Sequence, residues 1–369
     1  MARFAFITVQ GGGNLPPQIA VGRALAARGH ELHLLGDPRT AAAAAEMGAS
    51  FTAIDELSFW DPTRPRSVAA AIGEAVRLAT DDAARERIRT ELIRLRPDVA
   101  ITDPLVAVGT TAALAAGVPT AVLSHTFPTY WTGVLAHGPV GILAALRGTR
   151  LGRVYGAADL RIVTGDRALD PAPATSDWIW TGSCETGVPA QRQDPPRVLV
   201  SLSTTSLPGQ PEVYRRVIDA LGTLPVEAVV TTGGQALPGD LIVPPNVQVH
   251  QRLPHEQLLP HLSLVIGHGG YSTTLRALVH GVPLLILPGH PMLDQPMVGK
   301  AVVDAGAGLS MKHTASPESI RRAVLRLLGE PGFTTAAQRI GLRLRGIDGA
   351  GAAADALQAL VAAPGHVRS

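Results

Sequence analysis

The sequence predicts an α/β protein of two domains, each built on a parallel sheet, and three observations carry that prediction. Short apolar runs alternate with alanine-rich segments of helix length. The 369 residues exceed one ordinary domain and suit two of roughly 150–200 residues each. The alternation breaks once, between Asp166 and Pro196, and then restarts. Strand–helix alternation of this kind reads as right-handed βαβ units.

In chain order, Arg3–Val9 is expected as the first strand, Pro17–Arg28 as a helix and His30–Leu35 as the second strand. Ser67–Arg96 is helical in composition and leads into a strand at Val99–Thr102; Val106–Ala116 follows as a helix and Thr120–Ser124 as a buried strand. The break contains Asp170-Pro-Ala-Pro, Gly182-Ser-Cys-Glu-Thr-Gly and Gln193-Asp-Pro-Pro, the turn formers of a linker. The alternation resumes with a strand at Arg197–Ser201, a helix at Pro211–Leu221 and strands at Glu227–Thr231 and Leu264–Ile266. Ser316, Pro317 and Glu318 mark a later helix start as N-cap, first position and first-turn acid. The boundary falls near residue 190. Residues 1–190, with a linker from about 166, form the first domain, and 191–369 the second, whose last helix is expected to pack back on the first.

The halves echo each other. Ala100-Ile-Thr-Asp103, Gly109-Thr-Thr and Gly117-Val-Pro-Thr-Ala-Val-Leu123 in the first match Val265-Ile-Gly-His268, Ser272-Thr-Thr and Gly281-Val-Pro-Leu-Leu-Ile-Leu287 in the second. Asp103 and His268 thereby both fall at the carboxyl end of a parallel strand, where open α/β sheets place their ligand sites.

Composition excludes several classes. Cys184 is the only cysteine, which rules out a disulfide framework or a cysteine metal cluster and fits a reducing cytoplasm. A net charge of +2 from 32 basic and 30 acidic residues is not the footprint of a nucleic-acid binder. The densest basic run, Arg85, Arg87, Arg89, Arg94 and Arg96, is interleaved with Glu86 and Glu91 and reads as a solvated helix face. Met1–Val9 lacks the longer apolar stretch and cleavage site of a signal peptide. No stretch approaches the ~18 apolar residues of a membrane span. A cytoplasmic monomer or homodimer, acting on small molecules and not on nucleic acid or membrane, is the expectation.

The strongest chemical signal is His268-Gly-Gly-Tyr-Ser-Thr-Thr between a strand and a helix. Small residues admit a ligand close to the backbone, and the helix start offers unpaired N–H groups to an anion. His268, Gly269, Gly270, Ser272 and Thr273 then make a diphosphate cradle without a Walker lysine or a Gly-x-Gly-x-x-Gly fingerprint. Downstream stand Gly281-Val-Pro, Pro288 and Asp294-Gln295-Pro; upstream stand Leu253-Pro-His-Glu-Gln-Leu-Leu and Ser203-Thr204-Thr205. Gly13-Asn-Leu-Pro-Pro17 and Ala24-Leu-Ala-Ala-Arg-Gly-His30 open the chain.

These motifs together resemble the family 1 glycosyltransferases of GT-B fold, in particular bacterial natural-product (antibiotic-type) enzymes, and the resemblance spans essentially the whole chain. It implies two Rossmann-like domains whose parallel sheets face each other across a cleft, an N-terminal acceptor side and a C-terminal nucleotide-sugar side. It further implies direct displacement with inversion, no metal and no cofactor, the nucleotide diphosphate sugar being a substrate. By the same resemblance His268 and Thr273 hold the diphosphate, Ser203 and Thr204 stand in the phosphate-side turn after the first strand of the second domain, Asp294 and Gln295 take sugar hydroxyls, and Leu253 lies in the segment that cradles the base.

Two departures bear on mechanism. The family's usual base is a histidine in Gly-His-x-x-Pro; here Asn14 stands there, to orient an acceptor or to cap the helix that follows. The aspartate that partners that histidine is matched by Asp103. The remaining readings are Asp103 as base on its own with its pKa raised by an apolar cleft, an acceptor acidic enough to need little help (a phenol, a nitrogen or an enol-like carbon), or a base from elsewhere, His125 being the candidate after the Thr120–Ser124 strand. The second departure is Arg276, where relatives carry a ribose-binding glutamate. An arginine cannot accept a hydrogen bond, which favours a dTDP-sugar, with a deoxysugar as the sugar expected, over a UDP-sugar. Phe59, Trp60, Tyr130 and Trp131 are the candidate acceptor contacts, because aromatic faces suit planar, ring-containing molecules. A catalytically silent nucleotide-sugar-binding partner and a nucleotide-sugar epimerase on the same fold are the alternatives.

Overall fold

The computed structural model describes residues 1–173 and 176–362. Among these, thirteen strands form two wholly parallel sheets. The first contains β1 (Arg3–Thr8), β2 (Glu31–Gly36), β3 (Ser50–Ala53), β4 (Val99–Thr102), β5 (Thr120–Ser124), β6 (Leu160–Val163) and β7 (Ile179–Trp180), in the order β3-β2-β1-β4-β5-β6-β7. The second contains β8 (Arg197–Ser201), β9 (Glu227–Thr231), β10 (Val247–His250), β11 (Leu264–Gly267), β12 (Leu284–Ile286) and β13 (Gly308–Ser310), in the order β10-β9-β8-β11-β12-β13. The chain steps outward over three strands, then returns to the other side of the first. Each sheet therefore has a switch point, between β1 and β4 and between β8 and β11. Crevices at the carboxyl ends of such strand pairs are where ligands bind.

Both faces of each sheet are covered, so the strands are continuous apolar runs. Phe4 and Phe6 point with Leu32 and Leu34 into one core, while Ala5 and Ile7 point with Leu35 into the other. In the second sheet Val198 and Val200 take one face and Leu199 the opposite one. The helices are α1 (Leu15–Ala27), α2 (Ala41–Met47), α3 (Val68–Thr80), α4 (Asp82–Leu95), α5 (Ala107–Ala115), α6 (Pro139–Leu146) and α7 (Leu151–Gly156) in the first half. Those of the second half are α8 (Gln210–Leu221), α9 (His255–Leu258), α10 (Tyr271–Val279), α11 (Gln295–Asp304), α12 (Pro317–Gly329), α13 (Pro331–Arg345) and α14 (Gly349–Ala362).

The helical stretch expected over Ser67–Arg96 is two helices. Asp81 adopts an extended conformation and its Oδ1 accepts the Ala84 N–H at 3.0 Å, capping α4 and ending α3. The start expected at Ser316 is present, its hydroxyl accepting the Ser319 N–H at 3.3 Å. α2, β3 and β6 carry too little periodicity for the sequence to mark them. The last helix crosses back: Ala353, Ala354 and Leu357 of α14 share a core with Val21 and Leu25 of α1. Arg28 pairs with Asp355 at 2.7 Å, and Gln358 meets His30 at 2.8 Å. Residues 363–369, within the second domain as expected from sequence, lie outside the described residues. No described helix is long and apolar enough to cross a membrane.

Candidate active site

The carboxyl ends of both switch points open into one cavity of about 560 Å³ between the sheets, within the range of small-molecule sites. Its second-half wall begins with the loop between β11 and α10. Gly269 has φ +87°, and a Cβ there would stand 2.9 Å from the Gln295 carbonyl oxygen, so only glycine fits. Gly269 does not itself line the cavity; it is a backbone requirement and not a ligand contact. Gly270 does line it, and its missing side chain has a different purpose. A Cβ at Gly270 would lie 2.6 Å from His268 Nε2, so glycine here leaves room for the imidazole.

His268 faces the cavity with Nδ1 lacking a hydrogen-bond partner. Burial lowers its pKa to about 4, the Ser201 backbone opposing the shift, so the ring is neutral near pH 7. Ser272 and Thr273, on the first turn of α10, line the cavity beside it, and Ser203 and Thr204 follow β8 on the other side of the crevice. Asp294 and Gln295 close the floor. Gln295 Oε1 accepts the backbone N–H groups of Gly289 at 2.7 Å and His290 at 3.3 Å, which fixes the amide and leaves Nε2 as its donor to the cavity. Asp294 Oδ2 accepts the Thr126 hydroxyl at 2.7 Å from the opposite half. Burial raises the Asp294 pKa, while Thr126 and the neighbouring His125 draw it down. Leu253 points away and packs against the core; Arg252 and His255 line the cavity instead.

The first-half wall differs from expectation at its centre. Asn14 and Asp103 are 1% exposed and neither lines the cavity. Asp103 Oδ2 accepts Asn14 Nδ2 at 2.6 Å, Gln18 Nε2 at 2.8 Å and the Thr8 hydroxyl at 3.1 Å, and its Oδ1 accepts the Leu105 N–H at 2.8 Å. A carboxyl group whose oxygens meet four donors has no open position toward an acceptor, so Asp103 is a buried structural residue and not a lone base. Asn14 is fully engaged too: Nδ2 also donates to the Val9 carbonyl at 2.9 Å and Oδ1 accepts the Gly11 N–H at 3.0 Å. It stands at the N-cap of α1 but makes no capping bond, because its amide is turned into the knot around Asp103. Gln18, which sequence reading missed, sits one turn after Asn14 on α1, a spacing that would have found it.

His125 is the nominated catalytic residue that reaches the cavity. It follows β5, its ring stands edge-on to Trp131 with centroids 5.6 Å apart, and its Nδ1 has no hydrogen-bond partner. Trp60, Tyr130 and Trp131 line the same wall. Trp60 Nε1 donates to the Gln10 carbonyl at 2.9 Å and Trp131 Nε1 to Ser124 Oγ at 2.7 Å, so both indoles are locked by their polar edge. Burial raises the Tyr130 pKa, which keeps its phenol protonated. Phe59 departs from expectation: half-buried, it packs against the core under the Arg77 guanidinium, 3.6 Å from its ring centre, and does not line the cavity. Tyr130 and Trp131 open a π-helical turn over Tyr130–Leu135, a distortion frequent at functional sites.

Arg276 is half-buried on α10. It lines the cavity one turn after Ser272 and pairs with Glu185, Nε to Oε2, at 3.0 Å. Across the cleft the Ser206 N–H donates to the Pro62 carbonyl at 2.8 Å, and Gly12 and Gly13 approach Thr204 and Ser272.

Two parallel-sheet halves facing one cavity, with a glycine-rich turn and helix start on the second, define a GT-B fold. Residues 215–343 match the model of the erythromycin biosynthesis protein CIII-like family, C-terminal domain. The chain is 32% identical over 195 residues to 4'-demethylrebeccamycin synthase of Lentzea aerocolonigenes, covering 52% of this chain and 43% of that protein. The chain thus spans less than half the length of that curated relative. Over nearly its whole length it shares the fold of the glycotransferase of kitacinnamycin (TM-score 0.80, 24% identity, 98% of this chain and 99% of that one). It shares it also with the glycosyltransferase VinC in complex with dTDP (TM-score 0.73, 19% identity, 98% and 100%). The resemblance drawn from the sequence is thus carried by sequence in the C-terminal half and by fold throughout.

Proposed function

We propose that this protein is an inverting glycosyltransferase that moves a sugar from a nucleotide diphosphate, dTDP favoured over UDP, to a small apolar, ring-containing natural-product acceptor in the cytoplasm. The observation that carries this reading is the single cavity in which His268, Gly270, Ser272 and Thr273 face Trp60, Tyr130, Trp131 and His125. In the reaction the acceptor's nucleophilic atom attacks the anomeric carbon, the bond from that carbon to the diphosphate oxygen breaks, and the acceptor's proton passes to His125. The neutral His268 N–H and the first N–H groups of α10 stabilise the charge that develops on the leaving diphosphate; donors fixed in advance act most strongly there. Asp294 and Gln295 orient the sugar, one by acceptance and one by donation. The proton is taken at His125 because the position of the family's usual base is occupied by Asn14, whose amide is consumed by Asp103. The dTDP complex of VinC, whose fold the chain shares, supports the donor class.

Incubation of the purified protein with dTDP- and UDP-sugars and a panel of phenolic, hydroxylic and indolic acceptors tests the reading. A new glycoside with inverted anomeric configuration and stoichiometric dTDP is expected, unchanged by chelator. Nucleotide binding without turnover across the panel would establish the silent binding partner instead, and conversion of the donor alone an epimerase.

A further inference from the structure

The face built by α6 and α7 combines exposed apolar side chains with charge that nothing neutralises. On α6, Ile142 and Leu146 are 55% and 80% exposed, and Leu143 stands out beside them. At about 100° per residue, these three and Arg147 fall on one side of the helix. The opposite side, with Gly141 and Ala144, is buried. Ala144 packs with Trp131, Leu151 and Tyr155, so α6, α7 and the π-helical turn form one block. A Cβ at Gly141 would collide with the Ala136 carbonyl, so α6 lies directly on the end of that turn.

Arg147, Arg150 and Arg153 are all exposed, and none has an ion-pair partner among the described residues. The denser basic run on α4 differs: Arg85, Arg87, Arg89 and Arg94 each pair with a carboxylate of their own helix. No aspartate or glutamate occurs between Asp103 and Asp159. Of the two helices packed on α6, α3 brings one carboxylate, Glu74, and Arg66 holds it at 2.9 Å. The net charge of +2 averages these surfaces and conceals the second.

Apolar side chains scattered singly over a surface are ordinary, whereas a grouped set marks a place of contact. A two-fold contact with a second copy would set the three arginines against themselves, with no acid to relieve them. An anionic bilayer supplies both complements, hydrocarbon for the apolar tips and phosphates for the guanidinium groups. The patch also reaches the cavity: Leu135 of the turn, Val140 of α6 and Val68 of α3 line it, and Val68 is itself 40% exposed.

We propose that α6 and α7 seat the protein on an anionic membrane surface. Ile142, Leu143 and Leu146 enter the boundary of headgroups and acyl chains, and Arg147, Arg150 and Arg153 meet lipid phosphates. Attachment is peripheral, through side chains and not a spanning helix. One consequence, which alone rests on the transfer reaction proposed above, is that an apolar acceptor dissolved in the bilayer enters past Val68, Leu135 and Val140.

Sedimentation of the full chain with vesicles reads the attachment without any substrate. Binding to equimolar phosphatidylcholine and phosphatidylglycerol is expected, at least tenfold weaker to phosphatidylcholine alone, and reversed by high salt. Each of Arg147→Gln, Arg150→Gln and Arg153→Gln should weaken binding about fivefold. Ile142→Ser with Leu146→Ser should abolish it, while melting and transfer to a water-soluble acceptor stay unchanged, since none of these side chains lines the cavity. No sedimentation with the mixed vesicles, or sedimentation that neither set of variants alters, would overturn the inference. So would a dimer in solution that Leu146→Ser dissociates, which would give the face to a second copy. Vesicle binding without transfer to any acceptor would instead remove the glycosyltransferase reading and leave the membrane surface standing.

Discussion

The two switch points of this molecule share a topology and part ways in chemistry. In both, a strand enters the sheet beside the first one and ends in a polar residue, Asp103 after β4 and His268 after β11. The first is enclosed by Thr8, Asn14, Gln18 and the Leu105 N–H; the second keeps a ring nitrogen without a partner and faces the cavity. Position at the end of a parallel strand therefore marks a place where function can be built. Whether a residue there acts on a ligand depends on what its own neighbours leave open.

The largest expected effect tests the closed side. Asp103→Ala removes the common acceptor of three buried side-chain donors and a backbone N–H, and is expected to lower stability by roughly 3–5 kcal/mol. Urea denaturation measures it. The isosteric Asp103→Asn keeps the volume but turns an amide N–H toward donors, so it should also destabilise. If instead that variant melts as the unaltered protein does and loses only transfer, Asp103 belongs to the chemistry and the contrast between the halves collapses.

The next effect concerns the residue that replaces the missing base. His125→Gln keeps a polar side chain beside Trp131 but cannot accept a proton, and is expected to lower kcat by about 10²-fold or more for hydroxyl acceptors. Binding of dTDP should hold, since the nucleotide cradle lies in the other half. Activity should survive best with acceptors that ionise on their own, so the loss across a series of phenols should shrink as their acidity rises. A uniform loss across the series would assign His125 to packing.

Much of this was legible in the sequence, and the remainder was hidden for identifiable reasons. β5, β8 and β9 have the bounds their apolar runs mark, because strands covered on both faces leave an unbroken apolar signature. The cradle was legible because its parts are contiguous, from His268 to Thr273. Two short elements, α2 and β3, span too few residues to show a period. Glu185 gave no signal, since its partners Ser272 and Arg276 lie 87 and 91 residues away and meet it only through the fold. Phe59 and Trp60 are adjacent, yet one is covered by Arg77 and the other lines the cavity. They lie in the turn that follows the short 3-10 helix Asp55–Leu57, with the Trp60 N–H donating to the Leu57 carbonyl at 3.1 Å, and the sequence does not say which side of such a turn is open.

The smallest effect is a pH dependence that only the open switch point can produce. His268 has a pKa lowered to about 4 from the ordinary 6.5 because burial disfavours the imidazolium. The folded protein therefore binds fewer protons here than the unfolded chain between those values. The contribution to stability is complete above pH 6.5, declines as pH falls toward 4, and is level below it. A diphosphate beside the ring favours the charged form and raises that pKa, so binding takes up a proton. The affinity for dTDP should then tighten as pH falls from 7, and the gain reaches about tenfold for each unit of pKa the ligand restores only once the pH is below the free value. Protonation of the terminal phosphate, with a pKa of about 6, works in the opposite sense and is present in every variant. His268→Gln isolates it: the variant should lose the tightening and show the phosphate contribution alone. If both proteins follow the same pH curve, the ring does not meet the diphosphate, and His268 would join Asp103 as a structural residue at the end of its strand.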